Sequence, residues 1–333
     1  MSLLLLVQAG ASGTHRHPDP APTAAPVCAT TFRVGFVADV AGLGSSVDAA
    51  GWRGVGDALG TVSCGHADLA LPTRPSEYRR LLQAYAGHDL VVAGSFLLTD
   101  PVVDIARANP ATHFMLIDPI VTPPDLPNLA VLRFRSDEAA FLAGALAGMV
   151  TQTGVVAGVY GPQGAIDRNN RLSFEHGARY VRPTVRVLGA YQPAQDGEPY
   201  ANPAWGARQA RAFSSEQADV IFGAGGTTGQ GALLGAAQTG RACINAQVGV
   251  VPDAAADQDA SCLIATAVTH VERGVRIAIA EAANGRWQAG LRSLGLADAG
   301  VGLNLSGAVL PQLQERLENI SERLVSGALT TGA

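Results

Sequence analysis

The chain has 333 residues, 47% of them hydrophobic and 15% charged, with a formal net charge of −5 and a pI of about 5.8. This composition excludes a disordered chain, and the length exceeds what one core usually supports, so two domains are expected. Nucleic acid is not an expected partner, because no basic, aromatic-studded strip exists. Lysine is missing and all 23 basic residues are Arg, which rules out a lysine Schiff base and a Walker A phosphate loop.

Residues 1–30 form a signal-like segment and linker. MSLLLLVQAGASG has a short apolar run followed by small residues, like the back half of a secretory signal without its positive start. Residues 13–30 are rich in Pro and Ala and show no periodicity. Cys28 is a candidate membrane tether, although Pro26 and Val27 are a poor context for lipoprotein cleavage. No later run of about 20 apolar residues exists, so no membrane span is expected.

From residue 32 onward, apolar strand-like runs alternate with helical patterns. FRVGFVA leads through DVAGLGSS to a helix near 48–59. ADLALP leads to SEYRRLLQAYAG. DLVVAG leads to DPVVDIARAN, with Asp100 as the expected N-cap and Pro101 at the first helical position. HFMLID is followed by the Pro-rich VTPPDLPN and then by LAVLRF. SDEAAFLAGALAGMV reads as a helix capped by Ser136, with acidic residues in its first turn. GVVAGVYG precedes NNRLSFEHGARYVR, TVRVLGAY precedes NPAWGARQARAFSSE, and DVIFGAGG precedes TGQGALLGAAQTG. ACINAQ and SCLIATA come next, then the helix THVERGVRIAIAEAANG, the strand GVGLNL and the helix PQLQERLENISERLVSG. Such alternation predicts an α/β fold with parallel sheets covered by helices on both faces.

In open α/β sheets, ligands sit beyond the carboxyl ends of the strands. Polar or glycine-rich stretches lie at several such ends: Asp39 to Asp48, Gly94-Ser95, Asp118, Gly223 to Gly231, Gln247 and Thr269. GAGGTTGQGA (223–232) lets backbone N–H groups approach a polar ligand at a helix start, but it lacks the context of a dinucleotide fingerprint. Asp118 could accept two hydrogen bonds from vicinal hydroxyls or a base edge, or serve as a turn residue before Pro119. Asp39 or Asp48 could be a helix cap instead of a ligand contact.

No G-x-S-x-G elbow, H-E-x-x-H or C-x-x-C occurs, so no enzyme, metal or cofactor is expected. The four cysteines, Cys28, Cys64, Cys243 and Cys262, are an even count that suits an exported chain with two disulfides. Cys243 and Cys262 lie on strand-like runs and could bridge if those strands are neighbours, with buried free thiols as the equal alternative.

Taken in order, DVAGLGSSVDAAGW, GSFLLTDPVVDIARANPATHFMLID, FRSDEAAFLAGALAG, FEHGARYVRP and DVIFGAGGTTGQGA resemble one family. It is the BMP family, the basic-membrane-protein or purine-nucleoside-receptor-like substrate-binding proteins of ABC transporters. The resemblance runs from about Phe32 to Gly327. It implies a type I periplasmic binding protein fold, with two Rossmann-like lobes joined by three hinge strands. Lobe 1 would be 31–134 plus 268–293, and lobe 2 would be 135–267 plus 294–327. The first lobe would meet the ligand with Asp39, Ser45, Ser46, Asp48, Ser95 and Asp118. The second would use Gly226, Thr227 and Gln247, and Thr269, at the start of lobe 1's returning stretch, would complete the site.

The chain departs from the family's pattern at informative places. The family's Phe-Asn pair falls at Val47 and Asp48, so a stacking aromatic and a neutral amide are both replaced. The G-V-D-x-D strand end, which holds ribose hydroxyls in nucleoside receptors, aligns with Asn245-Ala246-Gln247. Its partner Lys, on the following helix, aligns with Thr269. Losing Asp and Lys together avoids an unpaired charge in a closed cleft, which would cost about 3–5 kcal/mol. The expectation is an exported receptor, periplasmic or otherwise extracytoplasmic, that takes a small polar ligand other than a standard purine nucleoside. It would act as a monomer and deliver the ligand to an ABC permease. The alternatives are a ligand sensor without a transport role and a nucleotide-using α/β enzyme.

Overall fold

The computed structural model describes residues 31–62, 64–119, 122–249, 261–307 and 309–333. The signal-like segment and Cys28 lie outside the described residues.

Two six-stranded sheets carry the fold. The first is built from β1 (Phe32–Val37), β2 (Gly65–Ala70), β3 (Leu90–Ala93), β4 (His113–Ile117), β5 (Leu129–Phe134) and β11 (Gly290–Leu294). Its order is β11-β5-β4-β3-β1-β2 and every pairing is parallel. The second is built from β6 (Val155–Tyr160), β7 (Arg186–Tyr191), β8 (Val220–Gly223), β9 (Ala242–Val248), β10 (Leu263–Thr269) and β12 (Val301–Leu305). Its order is β12-β10-β9-β8-β6-β7. Here β12 runs antiparallel to β10, a departure from the all-parallel expectation.

Parallel strands covered on both faces need apolar residues at successive positions. LVVA in β3 and VIFG in β8 supply them, and all eight residues are buried. The first sheet is covered by α1 (Ser46–Leu59), α2 (Tyr78–Ala84), α3 (Thr99–Ala108) and α8 (Val271–Ala283). The second is covered by α4 (Ser136–Val150), α5 (Ala165–Val181), α6 (Pro203–Ser215), α7 (Gly226–Gln238) and α9 (Pro311–Val325). Small residues let α4 and α5 touch backbone to backbone. A Cβ on Gly144 would lie 2.0 Å from the Phe174 carbonyl, and one on Gly177 would lie 2.0 Å from that of Phe141.

Among the described residues, the chain passes between the two layers three times: after Phe134, after Thr269 and after Leu294. Phe134 packs against both cores at the first of these crossings. At the third, the Arg135 N–H donates to the Leu294 carbonyl at 2.9 Å.

Several local expectations are corrected. Helix α3 begins at Thr99, so Asp100 lies in its first turn and is not its cap. Ser95 instead caps the 3-10 turn just before it, accepting from the Leu97 N–H. Ser136 does not cap α4; its hydroxyl donates to Asn170 on α5 at 2.9 Å. The α5 helix starts at Ala165, four residues before the apolar pattern begins. Strand β11, GLRSL, has no counterpart in the strand pattern read from the sequence. Its residues alternate between half-buried and exposed along an edge, so no continuous apolar run marks it.

Candidate ligand-binding site

On the first sheet, the site begins where β1 ends. The chain turns through Asp39 to Gly44 and enters α1. Ser45, not Asp39 or Asp48, is the N-cap: its hydroxyl accepts from the Asp48 N–H at 3.4 Å. Asp48 sits in the first helical turn and is fully buried. Its Oδ2 accepts from the Asp39 N–H at 3.2 Å. Asp39 in turn closes the turn, accepting from the Ala41 N–H at 2.7 Å. Gly94, just beyond β3, lies against Asp48, and a Cβ there would fall 1.7 Å from Oδ1. Burial, with the neighbouring Asp39 charge, pushes the Asp48 carboxyl up to about 7. Ser46 is exposed and Ser95 is buried.

Asp118 follows β4 with φ of +47°, a left-handed conformation that Asp adopts more readily than most residues. Its N–H donates to the Leu132 carbonyl at 2.8 Å, and its Oδ1 accepts from the Phe134 N–H at 3.4 Å. Burial lifts this carboxyl to about 6, opposed by the Phe134 hydrogen bond and the Arg133 charge.

On the second sheet, the glycine loop follows β8. Gly225 and Gly226 both have positive φ, and Gly226 opens α7. The Thr227 hydroxyl donates to the Tyr200 carbonyl at 3.2 Å. Gln247, near the end of β9, donates through Nε2 to the Gly249 carbonyl at 3.0 Å. Thr269 is the last residue of β10, not a helical residue as the family's Lys position implied. In the ladder, Val268 pairs with Gln247 and Thr269 with Val248, so the two positions stand on adjacent strands. Cys243 and Cys262 are disulfide-bonded across these strands. Cys64 is disulfide-bonded as well.

The two sheets meet beside Gln247. A Cβ on Gly249 would lie 2.7 Å from Ala50 Cβ and 2.7 Å from the Arg53 guanidinium, both on α1. The structure therefore joins Asp39, Ser45 and Asp48 in one cluster and Gly226 and Thr227 with Tyr200 in a second; Gln247 and Thr269, one register position apart on adjacent strands, face opposite sides of the sheet and form no cluster. Among the described residues, no side-chain hydrogen bond links the first cluster to the second.

A polar group went unread in the sequence. Asp167, buried in the first turn of α5, accepts from the Tyr200 hydroxyl at 3.0 Å and the Gly161 N–H at 3.1 Å. Its carboxyl is lifted to about 6 by burial. Gln192 is buried and accepts from the Tyr200 N–H at 3.1 Å and the Thr228 hydroxyl at 2.8 Å. These bonds hold Tyr200 at φ +63° against the glycine loop. The available signal was the strand end GPQGAID, a glycine-rich turn with an Asp in the following helical turn.

A family model described as "ABC transporter substrate-binding protein PnrA-like" (Bmp) matches residues 77–331. The chain belongs to this family. Bmp proteins are substrate-binding proteins and not enzymes. Basic membrane protein A1 of Borrelia garinii subsp. bavariensis is 26% identical over 249 residues, covering 72% of this chain and 70% of that protein. Basic membrane protein A of Borreliella burgdorferi is 30% identical over 156 residues, covering 46% and 44%. Among solved structures, an ABC transporter solute-binding protein from Aeropyrum pernix superposes with a TM-score of 0.72 at 20% identity, covering 90% of this chain and 92% of that one. Another, from Conexibacter woesei, has a TM-score of 0.68 at 21% identity and covers 90% and 98%. Bmp proteins are extracytoplasmic, and among the described residues no helix is long and apolar enough to cross a membrane.

Proposed function

We propose that this Bmp protein is the solute receptor of an ABC importer, binding a small polar ligand between two lobes that close on it. The lobes are 31–134 plus 270–294 and 135–269 plus 295–327, within two residues of the bounds the resemblance implied, and the three chain crossings act as hinges. The observation that carries this reading is the location of the polar groups at strand carboxyl ends. Asp39, Ser95 and Asp118 follow β1, β3 and β4, while Gly226 and Gln247 stand at the ends of β8 and β9. Both sheets thus offer polar ends, as a ligand held between them requires.

The ligand is rich in hydrogen-bond donors. Asp118 offers acceptor oxygens with only one hydrogen bond from Phe134. Gln247 and Thr269 replace a charged pair with neutral groups, so a standard purine nucleoside is not the expected ligand. A membrane tether through Cys28 and delivery to a permease belong to the same reading.

The test is a thermal-shift screen of the full chain against nucleosides, bases, sugars, amino acids and polyamines. A ligand at about 100 times its dissociation constant stabilises the fold by about 2.7 kcal/mol. X-ray scattering with the hit should show a smaller radius of gyration. Tight binding of inosine or guanosine would refute the proposed ligand class, and a hit without compaction would refute closure.

A further inference from the structure

A cavity of about 740 Å³ lies at the amino ends of the second sheet's strands. Val220, the first residue of β8, and Ile264, near the start of β10, line it from the sheet. Val150 lines it from the end of α4, and Leu310 and Leu313 from the start of α9. Leu310 is 63% exposed, more than any other large hydrophobic side chain among the described residues. The volume falls within the range of small-molecule pockets, about 300–1,000 Å³, and such pockets are mostly apolar with a few polar groups.

Two charged residues line the cavity, Asp219 and Arg241. Asp219 is committed to the chain that leaves α4. Its carboxylate accepts from the Thr151 hydroxyl at 2.6 Å and from the Gln152 and Thr153 N–H groups at 2.7 and 2.9 Å. Arg241 has no such commitment. Among the described residues, its side chain makes no hydrogen bond or ion pair, and its Nε–H is shut off from water without a partner. The first turn of α9 holds no acid to serve it. A buried N–H without an acceptor is costly, and native proteins rarely keep one. A carboxylate inside the cavity supplies the acceptor, because two parallel N–H···O bonds match the guanidinium fork.

We propose that this cavity binds a free single-chain carboxylate amphiphile of the fatty-acid type, with its head on Arg241 and its chain along Val220, Ile264, Leu310 and Leu313. The cation selects the head and the aliphatic walls select the tail. An inorganic anion would leave the walls unmet, and a neutral apolar molecule would leave Arg241 unmet. An anionic membrane surface is read by clusters of several basic residues, whereas this cavity offers one. The cavity stands at the strands' amino ends and the polar groups of the proposed importer cleft at their carboxyl ends. The two sites are therefore separate, and this proposal does not rest on the importer reading.

The experiment is calorimetric titration of the full chain, stripped of copurified lipid, with octanoate, decanoate and dodecanoate below their micelle concentrations. Decanol is the uncharged control and acetate the tail-less one. Affinity should rise about two- to fourfold per added methylene, and acetate should not bind measurably. Arg241→Gln should weaken decanoate at least about tenfold and leave decanol unchanged. Leu310→Gln, a change at an exposed position, should weaken decanoate and decanol alike. Circular dichroism confirms that each variant is folded. Absence of saturable binding would overturn the proposal. So would decanoate binding that Arg241→Gln leaves intact, because the head would then sit elsewhere. Acetate binding as tightly as decanoate would overturn the apolar part. Binding to phosphatidylglycerol vesicles without binding to free decanoate would overturn the free amphiphile in favour of a membrane surface.

Discussion

Replacing both Cys243 and Cys262 with alanine should destabilise the protein without abolishing the ligand site. The two cysteines are 19 residues apart in the sequence, and both are buried. Closing a loop of that length removes chain entropy from the unfolded state worth about 3 kcal/mol. For a unit the size of the second sheet and its helices, this corresponds to a melting temperature lower by roughly 6–12 °C. The bond lies at the start of the β9–β10 ladder, where Leu263 pairs with Cys243. Gln247 and Thr269 lie at the other end, held by the pairs from Ala265 to Thr269. Their spacing is therefore set by strand pairing, and ligand affinity measured well below the melting temperature should be unchanged. Thermal and urea melts of the double variant are the assay. Reductant on the wild type is not equivalent, because it also opens the bond at Cys64. A melting shift below about 2 °C would refute the loop-entropy argument. Lost affinity in a folded variant would show that the bond, and not the ladder, sets the site.

Gly94→Ala should lower stability by about 1–3 kcal/mol, because its Cβ would fall 1.7 Å from Asp48 Oδ1 in a buried setting; urea unfolding measures it. The carboxyls of Asp48, Asp118 and Asp167 are all raised above their ordinary value, to about 7, 6 and 6. Each therefore contributes stability that is full below about pH 4 and is lost as pH rises through its folded value, of the order of 1–3 kcal/mol per group. Unfolding free energy should fall between about pH 4 and 7, and each Asp→Asn variant should flatten its share of that slope. Gln247→Asp should cost about 1–3 kcal/mol through a poorly paired carboxylate, measured by urea unfolding.

The repeated strand–helix pattern was legible because buried parallel strands must be apolar at successive positions, and LVVA and VIFG announce themselves. Edge strand β11 was not, because GLRSL is half exposed and shares its composition with a loop. Helix caps failed for a related reason. Ser95 and Asp100 both look like caps, and only the 3-10 turn between them decides which one acts. In the site, the polar strand ends were visible residue by residue, but the partners that set their chemistry were not. Asp48 reads as a charge in the sequence. It becomes a raised, buried acid only when Asp39, nine positions away, and Gly94, just beyond another strand, close around it.

On the proposed reading, the cleft departs from the family's pattern in a consistent direction. In the second sheet, a charged pair expected from the resemblance is replaced by the neutral Gln247 and Thr269. In the first sheet, an amide position becomes Asp48, which on its face adds a charge. Burial against Gly94 and contact with Asp39 work against that charge. Both changes therefore lead to a cleft with less ionic character than its residue types imply. Selection then falls to the geometry of hydrogen bonds, chiefly the acceptor oxygens of Asp118. A ligand recognised this way should bind with little dependence on salt, because few of its contacts would be screened ion pairs. Titrating any hit from the screen at 0.05 and 0.5 M salt decides the point: a steep loss of affinity would mean that the cleft reads a charge after all.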